Sequence, residues 1–341
     1  MRRPFLALFF VSVLSLSLAA AGCAGKGLSS LDKPEDMLKT ALDSSMDVTS
    51  LTGYFAADLQ MHLDPSQLAQ GDLAFLGMFQ DPATISGTLA LSTKARAFDA
   101  DVTLGAAGFT YNMGLRVLGE QGWIRTFGQW YDFTTALADP ANGDMSLWEE
   151  TYDQEELEQH FDRLGIVIQD WFGPPRLVGA EELAGTDVYH LACRPDLELM
   201  VDDAIILLQD REFLNLVDPG GSLFESLGQD LPSLSELRSL AADVPQMFQD
   251  FTVDLWVGKS DGLLRQAAGY LNVVPPAEAE MDGVDGIEVT ATLTLNTVNT
   301  PVSVKAPENF LPFSALEEMF GDPSGLMPFM GTGEDDGIFS Y

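Results

Sequence analysis

Two cysteines, three histidines and 17 basic residues are few for a chain of 341 residues. Each scarcity excludes something. Cys23 and Cys193 are the whole cysteine complement, so no framework of several disulfides can exist. His62, His160 and His190 lie far apart, and none stands at metal-ligand spacing from another His or Cys. The H-E-x-x-H signature is absent. Lysine and arginine are outnumbered by 52 Asp and Glu, for a formal net charge of −35. A surface of that sign repels nucleic acid, and solubility is its simplest explanation.

Other motifs dissolve on inspection. "GKSDG" at 258 resembles a P-loop ending, but Val253 occupies the place of the first glycine. "SLDK" at 30–33 is a common accident in a small, polar stretch, and "MDGVDG" at 281–286 lacks the twelve-residue calcium spacing. With 52 acids, paired carboxylates decide nothing. The expectation is a protein that is not an enzyme and uses no metal or cofactor.

Long apolar runs are also missing, with one exception. Arg2 and Arg3 open an apolar stretch from Phe5 to Leu18, and Ala19-Ala20-Ala21-Gly22 close it. That is the anatomy of an export signal over residues 1–22. An uncleaved spanning helix is the rival, opposed by the serines at 12, 15 and 17 and the small-residue end. Cys23 directly after Ala-Ala-Gly resembles the bacterial lipobox, with Ala20 where that motif usually has Leu. The resemblance implies that Cys23 receives a diacylglycerol and becomes the mature N-terminus. The chain would then be extracytoplasmic, held to the cell membrane by its lipid. Residues 23–32 read as a flexible tether. With Arg2 and Arg3 removed, −35 becomes −37. Cys193 would be the last thiol, and its place in "DVYHLACRP" suits a buried strand.

The roughly 310 residues left suffice for a large core. "DKPEDMLKTALDSSM" has a helical start at Asp32 and Pro34 and an apolar stripe at Leu38, Leu42 and Met46. The period then becomes two. Leu51, Phe55, Leu59, Met61 and Leu63 share one face of a long strand, and Thr52, Tyr54, Asp58, Gln60 and His62 the other. "TISGTLALST", "RAFDADVTLG" and "FTYNMGLRVLG" continue the pattern, and "GWIRTFGQWYDF" is an aromatic-rich fifth strand. Residues 66–82, apolar yet with two glycines, interrupt this meander as a mobile amphipathic flap or a short helix. Leu157, Phe161, Leu164, Ile168 and Trp171 mark a helix. A hairpin follows in "RLVGAEELAGTDVYHLACR". An apolar helical insertion occupies 199–249, a further hairpin turns at Lys259–Gly262, "IEVTATLTLNTVN" and "PVSVKAP" are strands, and "LPFSALEEMFG" is a short helix. The acidic tail 322–341 looks loose.

This order of lipobox, helix, meander, helix, "GTDVYHL" hairpin, "LWVGKSDGLLRQ" hairpin and "NTPVSVKAP" resembles the LppX/LprA/LprF/LprG group of bacterial lipoproteins, which share the fold of the carrier LolA. The resemblance implies an α+β domain over 33–321: a LolA-like, half-open antiparallel β-barrel of about ten strands wrapped around helices. It implies a hydrophobic cavity that binds or carries a lipid or glycolipid. The face assignment nominates Phe55, Leu59, Met61, Leu89, Leu91, Val102, Leu104, Tyr111, Met113, Leu115, Leu255, Val257 and Leu293 as its lining. Phe75, Leu76 and Phe79 of the flap, with Leu207, Leu208 and Phe213 of the insertion, are candidates for its mouth. A core filled by its own side chains is the competing reading of the same apolar faces. The rival function is an envelope sensor or scaffold that docks a partner protein, with the acidic helix at Glu155–Asp162 as its face.

Overall fold

The computed structural model describes residues 27–29, 32–45, 48–64, 81–134, 154–217, 238, 246–274 and 283–320. Residues 1–22, Cys23, the flap residues Phe75, Leu76 and Phe79, and the tail 322–341 lie outside the described residues.

Helix α1 (Pro34–Ser45) precedes a meander of β1 (Ser50–Leu63), β2 (Ala83–Ser92), β3 (Ala97–Ala106), β4 (Phe109–Leu118), β5 (Gln121–Thr126) and β6 (Gln129–Asp132). Helix α2 (Gln154–Leu164) and a 3-10 turn (Ile168–Phe172) follow. Then come β7 (Arg176–Leu183), β8 (Thr186–Cys193), α3 (Leu197–Gln209), α4 (Arg211–Val217), β9 (Phe248–Gly258), β10 (Leu264–Val273) and β11 (Val284–Val298). The two-residue β12 (Leu311–Pro312) and α5 (Ser314–Phe320) complete the described order. Three hairpins turn on a residue–glycine pair with positive φ: Ala107-Gly108, Phe127-Gly128 and Ala184-Gly185. Two left-handed residues in succession give the turn twist that matches the twist of antiparallel strands.

The strands form one sheet of twelve in the order β12-β6-β5-β4-β3-β2-β1-β11-β10-β9-β8-β7. It is open, with β12 and β7 at its edges. The long β1 and β11 join the two meanders through an antiparallel pairing from Leu51↔Val298 to Leu63↔Val284. The helices bury one face of one half of this sheet. Met37, Leu38 and Ala41 of α1, Trp171 and Phe172 of the 3-10 turn, and Met200 and Leu207 of α3 pack on it. They meet Tyr189, Leu191 and Cys193 of β8, Val253, Leu255 and Val257 of β9, and Leu264 and Ala267 of β10. Asp196 caps α3 by accepting from the Leu199 N–H at 3.0 Å.

Four expectations need correction. The sheet has twelve strands rather than about ten. "GWIRTFGQWYDF" is a hairpin, β5–β6, because Phe127-Gly128 adopts the turn conformation. The helix expected through Trp171 ends at Leu164, where Gly165 takes φ 72°, and resumes as a 3-10 turn. "PVSVKAP" makes no strand. It runs over the outer face of β4–β6, where the Lys305 carbonyl accepts from Arg116 at 3.0 Å, and further along Phe310 packs on Trp123. Trp123 is thereby only 2% exposed, although it stands on the polar face of its strand.

Candidate functional site

The strand registers bring the nominated apolar residues into rows that cross the sheet. One row runs Leu177–Leu191–Leu255–Ala267–Leu293–Phe55–Gly87–Val102–Met113, one residue from each of nine successive strands. Period-two side chains put the whole row on one face. The row changes character along its length. Leu191 and Leu255 are sealed under the helices at 0% and 1% exposure. Leu293, Phe55, Val102 and Met113 are half-buried.

The same division holds for the neighbouring rows. Leu89 and Leu115 flank Ala100, Leu91 lies between Leu51 and Phe98, and Leu104 separates Ile85 from Tyr111. Leu59 pairs with Val289, and Met61 with Ile287. All the nominated residues on β1–β4 are half-buried, whereas Val257 on β9 is fully buried. Ile85 is 38% exposed and Phe127, which meets the Tyr111 ring edge-on, is 61% exposed. The nominated residues therefore split into a packed set under the helices and a half-open set on β1–β4 and β11, beside which Leu51, Ala100 and Val117 are buried.

The nominated mouth residues separate likewise. Leu207 is buried in the core cluster, Phe213 packs beside that cluster with its ring 6.1 Å from Phe161, and Leu208 is half-buried. Sequence reading missed Gly53, Gly87 and Ala267. A glycine or alanine in a strand carries little apolar signal, yet each continues a row. At Gly87 the vacancy is used, because the Phe55 ring lies over it.

The opposite face is polar. Arg116 donates to both oxygens of Asp99, at 3.0 and 2.9 Å, Arg125 pairs with Asp101 at 2.8 Å, and both guanidiniums lie against the Trp130 ring. Arg116 and Trp130 border a wide surface depression of about 490 Å3 that Lys305–Asn309 completes. His190 lies between Glu181 and Asp254, at 3.0 and 2.7 Å, and stacks on Trp256. A third cluster joins His160, Asp210 and Glu212. The Arg163 guanidinium contacts all three, at 2.8, 2.8 and 3.2 Å, so a cation already sits among these donors.

Two acids on the helices are displaced in opposite directions. Burial pushes the Asp203 carboxyl above the usual carboxylate range, against a hydrogen bond from Trp171 Nε1 at 2.6 Å; Asp202 and Asp170 push it up further. Asp210 is held below that range, first by the Phe213 N–H and then by Arg163. Burial, with Asp254 nearby, pushes the Cys193 thiol up to about 12. No helix among the described residues is long and apolar enough to cross a membrane.

No family model and no curated protein sequence matches this chain. Among solved structures, the lipoprotein LppX of Mycobacterium tuberculosis is similar over 80% of this chain and 97% of its own, at 12% identity and a TM-score of 0.33. LprF from Mycobacterium bovis is similar over 82% of this chain and 100% of its own, at 10% identity and a TM-score of 0.34. LppX and LprF are both among the lipoproteins that the sequence resembles.

Proposed function

We propose that this protein is an extracytoplasmic lipoprotein, anchored through a lipid on Cys23, that holds the acyl chains of a lipid or glycolipid against the half-open face of β1–β4 and β11. The observation that carries this reading is the row from Leu293 through Phe55 and Val102 to Met113. It continues a sealed core row, yet it stays half-exposed. An apolar face of that extent favours an apolar occupant. Each methylene buried there contributes about 0.8 kcal/mol, so a two-chain lipid gains well over 10 kcal/mol before ordering costs. Met61 and Met113 suit an adaptable contact surface. Gly87 leaves room for the Phe55 ring to lie flat against the sheet.

Native mass spectrometry of the soluble domain from residue 26, purified gently from a bacterial host, tests it. The expected result is a stoichiometric phospholipid or glycolipid that is lost on unfolding. Val102→Asp and Met113→Asp should remain folded and come out empty. A clean apo mass after exposure to native membrane lipids would overturn the assignment.

A further inference from the structure

Residues 27–29 are fixed to one end of the sheet. The Leu28 N–H donates to the Lys259 carbonyl at 2.7 Å, and the Leu28 side chain packs against the core cluster. A Cβ on Gly27 would lie 3.1 Å from the Ser260 carbonyl oxygen, so this segment runs close along the β9–β10 turn. Cys23 precedes Leu28 by five residues. Even fully extended, five residues span no more than about 18 Å. A lipid on Cys23 therefore enters the bilayer close to the β9–β10 turn. This step rests on the reading of Cys23 as lipid-modified.

The same end of the sheet carries the β2–β3 turn, because Ser50 at the start of β1 pairs with Ser92 at the end of β2, and Leu51 pairs with Val298 of β11. That turn exposes Lys94 and Arg96, and neither makes an ion pair among the described residues. Lys259 adds a third cation, 3.7 Å from Asp187, and Asp261 at this end is paired with Arg265. Glu120 of the β4–β5 turn and Glu182 of the β7–β8 turn, with Asp187, are further acids of this end, so its charges are close to balanced. The opposite end carries Asp64, Asp81, Asp250 and Asp285 on β1, β2, β9 and β11, against Arg176 and Arg194 on β7 and β8. The ten residues of β3 separate the two ends by about 30 Å, well beyond the roughly 10 Å over which salt screens charge. In a chain of net charge −35, the end nearest the anchor is thus the one least repelled by anionic headgroups.

We propose that the sheet end formed by Gly27–Ser29, the β2–β3 turn and the β9–β10 turn is the surface this protein lays on the bilayer that holds its anchor. The opposite end, with Phe109 77% exposed and Phe127 beside it, points away from that bilayer. A short leash and a balanced charge at the same end act together: the first places the end near the membrane, and the second, against the acidic opposite end, keeps repulsion from the headgroups low there.

The test uses the full lipidated protein in liposomes of phosphatidylcholine and phosphatidylglycerol containing a nitroxide headgroup lipid. A fluorophore is attached through Ala95→Cys at the near end or Thr110→Cys at the far end. Quenching should be at least several-fold stronger at position 95. Lys94→Glu with Arg96→Glu should narrow the difference. Equal quenching, or stronger quenching at position 110, overturns the orientation while leaving the anchor intact. A protein that fails to float with liposomes and whose N-terminal peptide carries no diacylglycerol overturns the anchor and the orientation together.

Discussion

Phe55 stands opposite Leu293, and its ring closes over Gly87 where the two meanders join. A Cβ at Gly87 would lie 2.8 Å from Phe55 Cζ and would strike the Asp101 carbonyl oxygen, which is backbone and cannot yield. Gly87→Val should therefore destabilise the protein by about 1–3 kcal/mol. A urea midpoint that falls at unchanged slope is the expected result.

Trp171 Nε1 donates to a buried Asp203 oxygen at 2.6 Å, yet burial still raises the Asp203 pKa. The folded state then holds this proton to higher pH than the unfolded state. The contribution of Asp203 to stability is greatest below the ordinary carboxylate range and is lost as pH rises through the raised value. Asp203→Asn keeps an oxygen for Trp171 and removes that fall. The variant should melt a few degrees higher than the parent near pH 7, with the gap closing near pH 3, as read by thermal unfolding across pH.

Asp210 shows the reverse sign. Its oxygen accepts from the Phe213 N–H at 2.7 Å and caps α4, and Arg163 adds to the depression. The stabilisation is present above the unfolded carboxylate pKa and is lost as pH falls through the lowered one. Asp210→Ala should cost about 0.5–2 kcal/mol at neutral pH. Asp210→Asn should keep most of the cap while flattening the acid limb of the stability profile.

Cys193 is 2% exposed, and its thiol is pushed up to about 12. Near pH 8 the thiolate fraction is then roughly one in 10^4. The folded soluble domain should not react with a chromogenic disulfide reagent, and one thiol per chain should react on unfolding. Rapid reaction in native buffer would contradict the packing of β8 under α1 and α3.

Much of the sheet is legible in the sequence because a half-buried strand alternates. Leu51, Phe55, Leu59 and Met61 announce the face of β1, and the structure keeps them together on it. The hairpin at Phe127-Gly128 escaped because aromatic residues flank it on both sides and mask the turn. The burial of Trp123 escaped because it depends on Phe310, which is distant in sequence. The nominated residues on β1–β4 and on β9 look alike in sequence, since both alternate Leu, Val and Met with polar residues. Which of them the helices cover depends on where α1, the 3-10 turn and α3 settle.

By itself, the sequence determined the antiparallel strands, the apolar face and the scarcity of cysteine and histidine, because periodicity and composition are local properties of the chain. Only the tertiary structure decided the rest. Register carried one row across nine strands, and helix placement sealed Leu255 but left Met113 half-open. The docking of Leu28 on Lys259 chose which end of the sheet residues 27–29 reach. These outcomes depend on contacts between residues far apart in the chain, and no local pattern encodes which distant surfaces will meet.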